Sequence, residues 1–369
     1  MHGRTLAVAL LTLGVAGCGP EVAQRAAEIE LEIGGAAEGS EHFVEISGLT
    51  QDGSGRIWVT DAQGNDVRVF TPDGSLAFQF GGFGTGPSQF TLPCCLSFDG
   101  QGRLWVRDGG NARYSVFQPG DTGVTPLFTV PLPRTEQPLR YPIRFDSEGQ
   151  VIDVRLSLSG SGGGARLYRL DTLGVAQDTV VLPPWPPDSL GVVALQGDGA
   201  IWFVSPPYGP EDLIAYGPAG VYARAISRRY KVDMYASGTL IRSIVREETR
   251  SPLLTREQQD TAERQIGSDA RRIGFEPIEL SALMPFRNQL LGALLFDETG
   301  RLWVERRVGP DAELRIADVW GADGALLYEA TWPLDIRLAP SAFITEETAL
   351  AVRMDTVPGN ERIVRLRWR

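Results

Sequence analysis

Gly55-Arg56-Ile57-Trp58-Val59 returns as Gly102-Arg103-Leu104-Trp105-Val106, as Gly199-Ala200-Ile201-Trp202-Phe203 and as Gly300-Arg301-Leu302-Trp303-Val304. Two weaker copies complete the series, Phe145-Asp146-Ser147-Glu148-Gly149-Gln150-Val151 and Ile344-Thr345-Glu346-Glu347-Thr348-Ala349-Leu350-Ala351-Val352. Counted from the glycine, or from Thr348 in the last copy, the intervals are 47, 47, 50, 101 and 48 residues. A period of about 40 to 50 residues built from short strands is the signature of a β-propeller, in which each repeat is one four-stranded blade. The six copies predict an all-β, six-bladed β-propeller of four-stranded antiparallel blades. The doubled interval predicts a helical insertion between blades four and five, over about residues 238–280.

The second copy shows how a blade is written. It runs Leu96-Ser97-Phe98, Asp99-Gly100-Gln101-Gly102, Arg103-Leu104-Trp105-Val106, then Tyr114-Ser115-Val116-Phe117. Asp-x-x-Gly between two apolar runs is hairpin chemistry, because the Asp side chain caps the turn and Gly accepts a positive φ. Four of the 8 tryptophans, Trp58, Trp105, Trp202 and Trp303, share one position in the repeat, where a large ring fills the space between neighbouring blades. Phe70-Thr71-Pro72-Asp73-Gly74, Phe117-Gln118-Pro119-Gly120 and Tyr216-Gly217-Pro218-Ala219-Gly220 read as turns between third and fourth strands, with proline fixing φ on entry. The glycine-rich stretches Phe80–Phe90 and Gly160–Gly164 read as loops, and no helix signal follows the first, which argues against a phosphate-binding loop.

The segment Phe80–Phe117, with its glycine-rich loop, Phe90, Pro93, the Asp-x-x-Gly-Arg-Leu-Trp-Val strand pair, Asp108, Asn111, Arg113 and Val116-Phe117, resembles the NHL repeat. Asp61, Asn65 and Arg68 echo these features in the first blade, and the later blades lose the Asp and Asn positions. Nearly the whole chain after the leader is similar to six-bladed bacterial propeller lipoproteins. That resemblance implies a fold and a location, with hardly any chemistry.

Arg4 and the apolar stretch Leu6–Val15 read as an export signal, too short to span a bilayer. Val15-Ala16-Gly17-Cys18 resembles the bacterial lipoprotein signal. The resemblance implies a signal peptide over 1–17, lipid attachment at Cys18, a tether over 18–27 and a single propeller domain over 28–369. Gly19, where an aspartate would hold the protein back, implies an outer-membrane location facing the periplasm, with the membrane as a partner through the lipid anchor. The formal charge of −11, more negative still once Arg4 leaves, argues against nucleic acid as a partner. The sequence leaves the oligomeric state open.

The last copy has no fourth strand, because the chain stops after Arg362-Ile363-Val364-Arg365-Leu366-Arg367-Trp368. Glu28-Ile29-Glu30-Leu31-Glu32-Ile33 alternates as a half-buried strand should, and it is expected to supply the missing outer strand and cover an open edge. The competing reading is an amphipathic stalk near the membrane. In the long interval, Thr255-Arg256-Glu257-Gln258 is a capping-box pattern, followed by Ala262, Ile266, Ala270 and Ile273 at helical spacing. A helix is predicted between Arg256 and Arg272, with Gly267 the residue placed to interrupt it.

Chemistry is sparse. His2 leaves with the leader, so His42 is the sole remaining imidazole, read as an ordinary surface or turn residue. There is no Gly-x-Ser-x-Gly elbow and no Cys/His spacing for structural zinc, and no catalytic residue is assigned. Cys94 and Cys95 are either two small apolar residues opening a buried strand or a vicinal pair in a strained disulfide ring, since adjacent Cα atoms lie about 3.8 Å apart. Asp61 and Asp108 are read as turn caps, with polar loop groups at the channel as the other role. Calcium is the cofactor that carboxylates and carbonyls at a propeller channel would hold.

Two functions stand. The first is an envelope-anchored binding or scaffold module for a protein, peptide or glycan ligand. The second is a calcium-dependent hydrolase or lyase working at the channel entrance, implied by six-bladed relatives in the lactonase and strictosidine-synthase group. The binding reading comes first because the sequence holds no compact cluster of acid, base and metal ligands. A ring of inward-facing acids at the channel would favour the enzyme, and an apolar or aromatic groove would favour the binding module.

Overall fold

The computed structural model of the chain describes residues 22–35, 41–132, 137–138, 141–146, 148–156, 165–171, 173–183, 193–197, 200–204, 207–246, 251–272, 288–355 and 360–369. Residues 1–17, Cys18 and the loop Gly160–Gly164 lie outside them.

The chain is all-β with propeller-like sheets, and the described residues hold one α-helix. The first sheet joins Ile46–Gln51, Ile57–Asp61, Asp66–Phe70 and Leu76–Gly81, and the second joins Pro93–Phe98, Leu104–Asp108, Arg113–Pro119 and Val124–Pro131. The third, five-stranded, contains Gln137–Pro138, Arg144–Phe145, Val151–Leu156, Ala165–Leu170 and Ala176–Val181. A separate hairpin, Val193–Gly197 with Ala200–Val204, precedes the fourth sheet of Asp212–Tyr216, Val221–Ile226, Lys231–Ala236 and Thr239–Val245. A nine-stranded composite sheet takes the remaining strands. In it Leu291–Phe296, Leu302–Arg306, Leu314–Trp320 and Leu326–Pro333 are followed by Gln24–Gly34, Arg362–Trp368, Thr348–Arg353 and Ile336–Arg337, with Phe343–Ile344 also on Thr348–Arg353.

Apolar clusters bind each sheet to the next. Trp58 and Val69 meet Leu96 and Val106 between the first and second sheets, and Trp105 and Val130 meet Ile143 and Val151 between the second and third. Ile152 and Leu167 meet Ile214 and Tyr222, and Ala223 and Val232 meet Leu294 and Val304. Trp303 and Val319 meet Ala349 and Val364 inside the composite sheet, and Ile33 and Ile363 meet Leu49 and Val59, returning to the first sheet.

The repeated turn explains the repeated residues. Asp99 Oδ1 accepts from the backbone N–H of Gln101 and of Arg103, closing the turn, while Oδ2 accepts from Arg103 Nε at 2.6 Å and from Trp105 Nε1 at 2.9 Å. Asp52 and Asp297 do the same for Arg56 with Trp58 and for Arg301 with Trp303. One carboxylate thus ties hairpin, arginine and core indole together, which fixes their spacing in sequence. Gly55, Gly102 and Gly300 complete these turns at φ 85°, 72° and 84°, where a side chain would be strained. Trp58, Trp105 and Trp303 are at most 2% exposed and lie between neighbouring sheets, as their repeat position predicts. Trp202 lies in the Ala200–Val204 strand, and its side chain is outside what the structure describes.

The ends of the chain close the ring. Strand Gln24–Gly34 pairs antiparallel with Arg362–Trp368, with Ala27 opposite Trp368 and Gly34 opposite Arg362. Its outward row Glu28, Glu30 and Glu32 meets Arg369, Arg367 and Arg362, and the opposite row places Ile33 in the core. The strand begins at Gln24, so Gln24–Ala27 belong to the sheet and not to a tether. These first residues also pair in parallel with Leu326–Pro333, Gln24 opposite Glu329, which makes two predicted blades one continuous sheet.

The long interval differs from its prediction. Thr239–Val245 is the outer strand of the fourth sheet, so the helical insertion does not begin at residue 238. Tyr216-Gly217-Pro218-Ala219-Gly220 joins the first and second strands of that sheet, where its counterparts at Phe70 and Phe117 join third and fourth strands. The physical reason is pairing: Asp212–Tyr216 bonds to Val221–Ile226 and stands beside Leu291–Phe296, which makes it an inner strand. Among the described residues the hairpin carrying Trp202 is a two-stranded sheet of its own, apart from the complete four-stranded one. The helix Arg256–Arg272 runs without a break through Gly267. Its capping box is formed, with Gln258 N–H donating to Thr255 Oγ1 at 3.2 Å and Thr255 N–H to Gln258 Oε1 at 2.9 Å. Ala262 is buried, whereas the side chains of Ile266 and Ala270, and Ile273 entirely, lie outside the described residues.

Candidate functional site

Where the first strands of successive sheets stand side by side, they enclose a cavity of about 200 Å³. Its walls come from Tyr141, Pro142 and Arg144, the last in the Arg144–Phe145 strand of the third sheet, from Asp212–Tyr216 of the fourth, from Gly292–Phe296 of the composite sheet, and from Ala339, Pro340 and Ala342. A separate small cavity of about 10 Å³, which shares Tyr141, Pro142 and Pro340 with it, lies toward the first two sheets among Ser47, Leu49, Cys95 and Leu96. The strands are close there: a Cβ on Gly48 would come within 2.8 Å of Cys95 N. Period-2 alternation sends Ile214 and Tyr216 toward the third sheet, and Ala215 toward the composite sheet.

Arg144 closes one side of the cavity and is 8% exposed. Its guanidinium donates to Tyr216 O at 3.2 Å, to Phe296 O at 3.0 Å and to Glu298 Oε1 at 2.6 Å, which holds three inner segments together. Asp212 accepts from Arg224 Nε at 2.9 Å. The rings of Tyr141 and Tyr216 meet edge to face, 5.1 Å between centroids. The Tyr216 hydroxyl is buried and has no hydrogen-bond partner among the described residues. Burial pushes the Tyr141 hydroxyl up to about 12, with the Asp212 carboxylate adding to it. Burial, then Tyr141 and Asp212, hold Tyr216 well above the usual tyrosine range, so both hydroxyls stay protonated at neutral pH.

A wider open depression, about 330 Å³, lies at the turn end between the first two sheets around Asp52 and Arg56. Those two groups bind one another at 2.7 Å, so the depression presents satisfied polar groups.

The loop residues singled out in the sequence are engaged in turns. Asp61 accepts from the N–H of Val44, Glu45 and Gly64, and Asp108 from Thr91 N–H, Asn111 Nδ2 and Arg113 Nε. Asn65 Oδ1 accepts from Leu92 N–H, and Arg68 reaches Asp61, Asp66 and the carbonyl of half-buried His42. Among the described residues no three of His, Cys, Asp and Glu are grouped so as to hold a metal ion.

Cys94 and Cys95 are buried thiols and no disulfide joins them. Cys95 is the extra residue of a β-bulge, at φ 53°, between the pairs Cys94–Arg107 and Leu96–Val106. Tyr141, Arg144, Asp212 and Tyr216 carry no motif. Tyr216 is visible in the sequence only as part of a turn, and the turn's place in its sheet decides what the ring faces.

No family model and no curated protein matches the sequence. Solved structures share the fold. A candidate exported protein from Bacteroides fragilis is 10% identical, with 93% of this chain and 95% of that one covered at a TM-score of 0.52. Virginiamycin B lyase from Staphylococcus aureus is 11% identical over 92% and 99% of the two chains at 0.46. A gluconolactonase from Xanthomonas campestris is 10% identical over 94% and 98% at 0.42. At these identities the likeness is one of fold.

Proposed function

We propose that the chain is a cell-envelope lipoprotein, anchored through Cys18 on the outer membrane facing the periplasm. Its propeller is a binding module for a protein, peptide or glycan ligand that places one residue or ring in the inner cavity. We count six blades, the composite sheet being two blades joined by Gln24–Gly34, and the six intersheet clusters support that count.

The observation that carries the binding reading is the cavity wall. Leucine, tyrosine, phenylalanine, alanine and proline residues make up most of it, while the loop carboxylates Asp61 and Asp108 are engaged by backbone N–H groups. Sites for drug-sized ligands measure about 300–1,000 Å³. The smaller space of about 200 Å³ suits one side chain or ring of a larger ligand. The test compares the full chain with its Ala293→Phe variant, which fills the cavity, for retention of proteins, peptides and glycans from an envelope extract. A ligand retained by the first and lost by the second is expected, and equal retention by both sinks the reading. Palmitate labelling and membrane fractionation of Cys18→Ala test the anchor, with release from the membrane expected.

A hydrolase or lyase at the same cavity is the second reading. Tyr141, Tyr216 and Asp212 favour it, because they gather titratable groups beside the apolar wall. Its calcium-dependent form predicts a melting temperature several degrees higher in millimolar calcium than in EDTA.

A further inference from the structure

We propose that the ligand is a protein or peptide that places one uncharged apolar side chain, aromatic or large aliphatic, in the cavity, and that sugars and charged side chains are kept out. This rests on the cavity being the binding site. Three observations narrow the class. The first is the side-chain chemistry of the wall. Only Tyr141, Arg144, Asp212 and Tyr216 bring polar side chains to it, and the other lining residues are Leu, Ile, Ala, Phe, Pro and Gly. No Ser, Thr, Asn, Gln, His, Lys or Glu lines it. The Tyr216 hydroxyl is buried, so it adds no polar surface for a ligand. A sugar ring would leave several hydroxyls without side-chain partners, and each one taken from water unbonded opposes entry.

The second is charge. Each nitrogen of the Arg144 guanidinium already donates, Nε to Tyr216 O, Nη1 to Glu298 Oε1 and Nη2 to Phe296 O. Both oxygens of Asp212 accept from Arg224. The two charges of the wall are opposite in sign and each is paired. A carboxylate or an ammonium entering the cavity would therefore leave water without gaining a counter-ion, and a neutral group is selected.

The third is size and access. Ala215, Gly292, Ala293, Ala339 and Ala342 are small residues of the wall, and the space among them is about 200 Å³. An engineered apolar cavity of about 150 Å³ holds one benzene ring, so one large side chain fits here and a second does not. Tyr141, Leu213, Gly292, Ala293 and Ala339 are half-buried, which leaves the cavity open to solvent. A side chain standing out from a polypeptide surface can enter from there.

The test titrates the full chain by ligand-observed NMR with four probes, the N-acetyl amides of phenylalanine, glycine and glutamate and the methyl glycoside of N-acetylglucosamine. The phenylalanine probe is expected to bind roughly tenfold or more tightly than the glycine probe, the gain from burying one large apolar side chain. The glutamate and sugar probes are expected to bind no more tightly than glycine. Ala293→Phe is expected to bring the phenylalanine probe down to the glycine level. Ala293→Leu, which adds less bulk, is read in its place if the melting temperature shows that the larger substitution unfolds the chain. A sugar or glutamate probe that binds as tightly as phenylalanine, or a phenylalanine-to-glycine ratio unmoved by the substitution, overturns the proposal. If no probe binds while an extract ligand is still lost in Ala293→Phe, the ligand class is wrong and the binding site stands. If extract ligands bind Ala293→Phe as well as the parent chain, the site itself is wrong.

Discussion

Trp105 Nε1 donates to Asp99 Oδ2 at 2.9 Å, so a core indole and a hairpin-capping carboxylate form one unit. Trp105 is 2% exposed, its ring packs edge to face against Tyr114, Phe128 and Phe145, and the third of these belongs to the next sheet. Trp105→Ala is expected to cost about 3–5 kcal/mol in denaturant unfolding. Trp105→Phe keeps a ring but not the N–H, and should cost less than half as much. Equal losses from the two would show that the hydrogen bond to Asp99, and not the ring, carries the stability.

Asp153 joins the second and third sheets through a buried polar cluster. It accepts from the Tyr114 hydroxyl at 2.8 Å and pairs with Arg107 at 2.8 Å, and all three residues are at most 3% exposed. Asp153→Asn keeps the shape and removes the charge opposite Arg107. It is expected to cost about 3–5 kcal/mol, as removing one partner of a buried pair does. Tyr114→Phe should cost about 1.5–3 kcal/mol, the worth of a bond to a charged group, and the double variant less than the sum. Chemical denaturation of the four proteins measures the coupling.

The strand Gln24–Gly34 is expected to be essential to the ring. Deleting residues 24–34 uncovers Arg362–Trp368 and the outer edge of Leu326–Pro333, so a lower melting temperature and concentration-dependent association should follow, read by calorimetry and light scattering. An unchanged melting temperature would return this segment to the status of a stalk.

Acid should loosen the same seam. The bond from Arg367 holds the Glu30 carboxyl below its ordinary 4.5, and the bond from Arg362 does the same for Glu32. A carboxylate lowered on folding contributes stability above its unfolded value, and that contribution is lost as pH falls through the folded one. The pairs lie at the surface, so the expected loss below about pH 4.5 is under ~1 kcal/mol and shrinks in high salt. Glu30→Gln/Glu32→Gln should flatten that part of the pH profile.

At the alkaline end, Tyr141 holds its proton to about 12. Because this value is raised on folding, stability is complete below the unfolded value of about 10 and is lost as pH rises from there through 12. Absorbance titration of the parent chain against Tyr141→Phe should show one late-ionising tyrosine missing from the variant.

Residues that interact within one hairpin were legible from sequence. Asp99, Gly102, Arg103 and Trp105 lie six positions apart at most, and turn geometry plus one carboxylate dictates their spacing, so reading the repeat recovers the local structure. The strict alternation of Glu28–Ile33 was legible too, and pairing with Arg362–Trp368, which buries Ile33 and sets the glutamates against arginines, decides for a strand over a stalk. The fourth sheet was not. Tyr216–Gly220 has the same turn chemistry as Phe70–Gly74, and which strands a turn joins depends on the partners those strands find.

The sequence by itself determined the all-β repeat, the capped turns and the repeated tryptophan position, because each depends on neighbours in sequence or on period-2 burial, and it left Glu28–Ile33 as either a strand or a stalk. Only the tertiary structure decided which four strands fill the doubled interval, how Gln24 fuses two sheets, and what lines the cavity. Tyr141 and Arg144, Asp212 and Tyr216, and Gly292 come from three separate segments that meet only when the sheets pack together, and no local rule encodes that meeting. The unbonded hydroxyl of Tyr216 arises from the same cause. A side chain's partners are set by whatever the packed sheets bring to it, and here they leave the hydroxyl buried without one among the described residues.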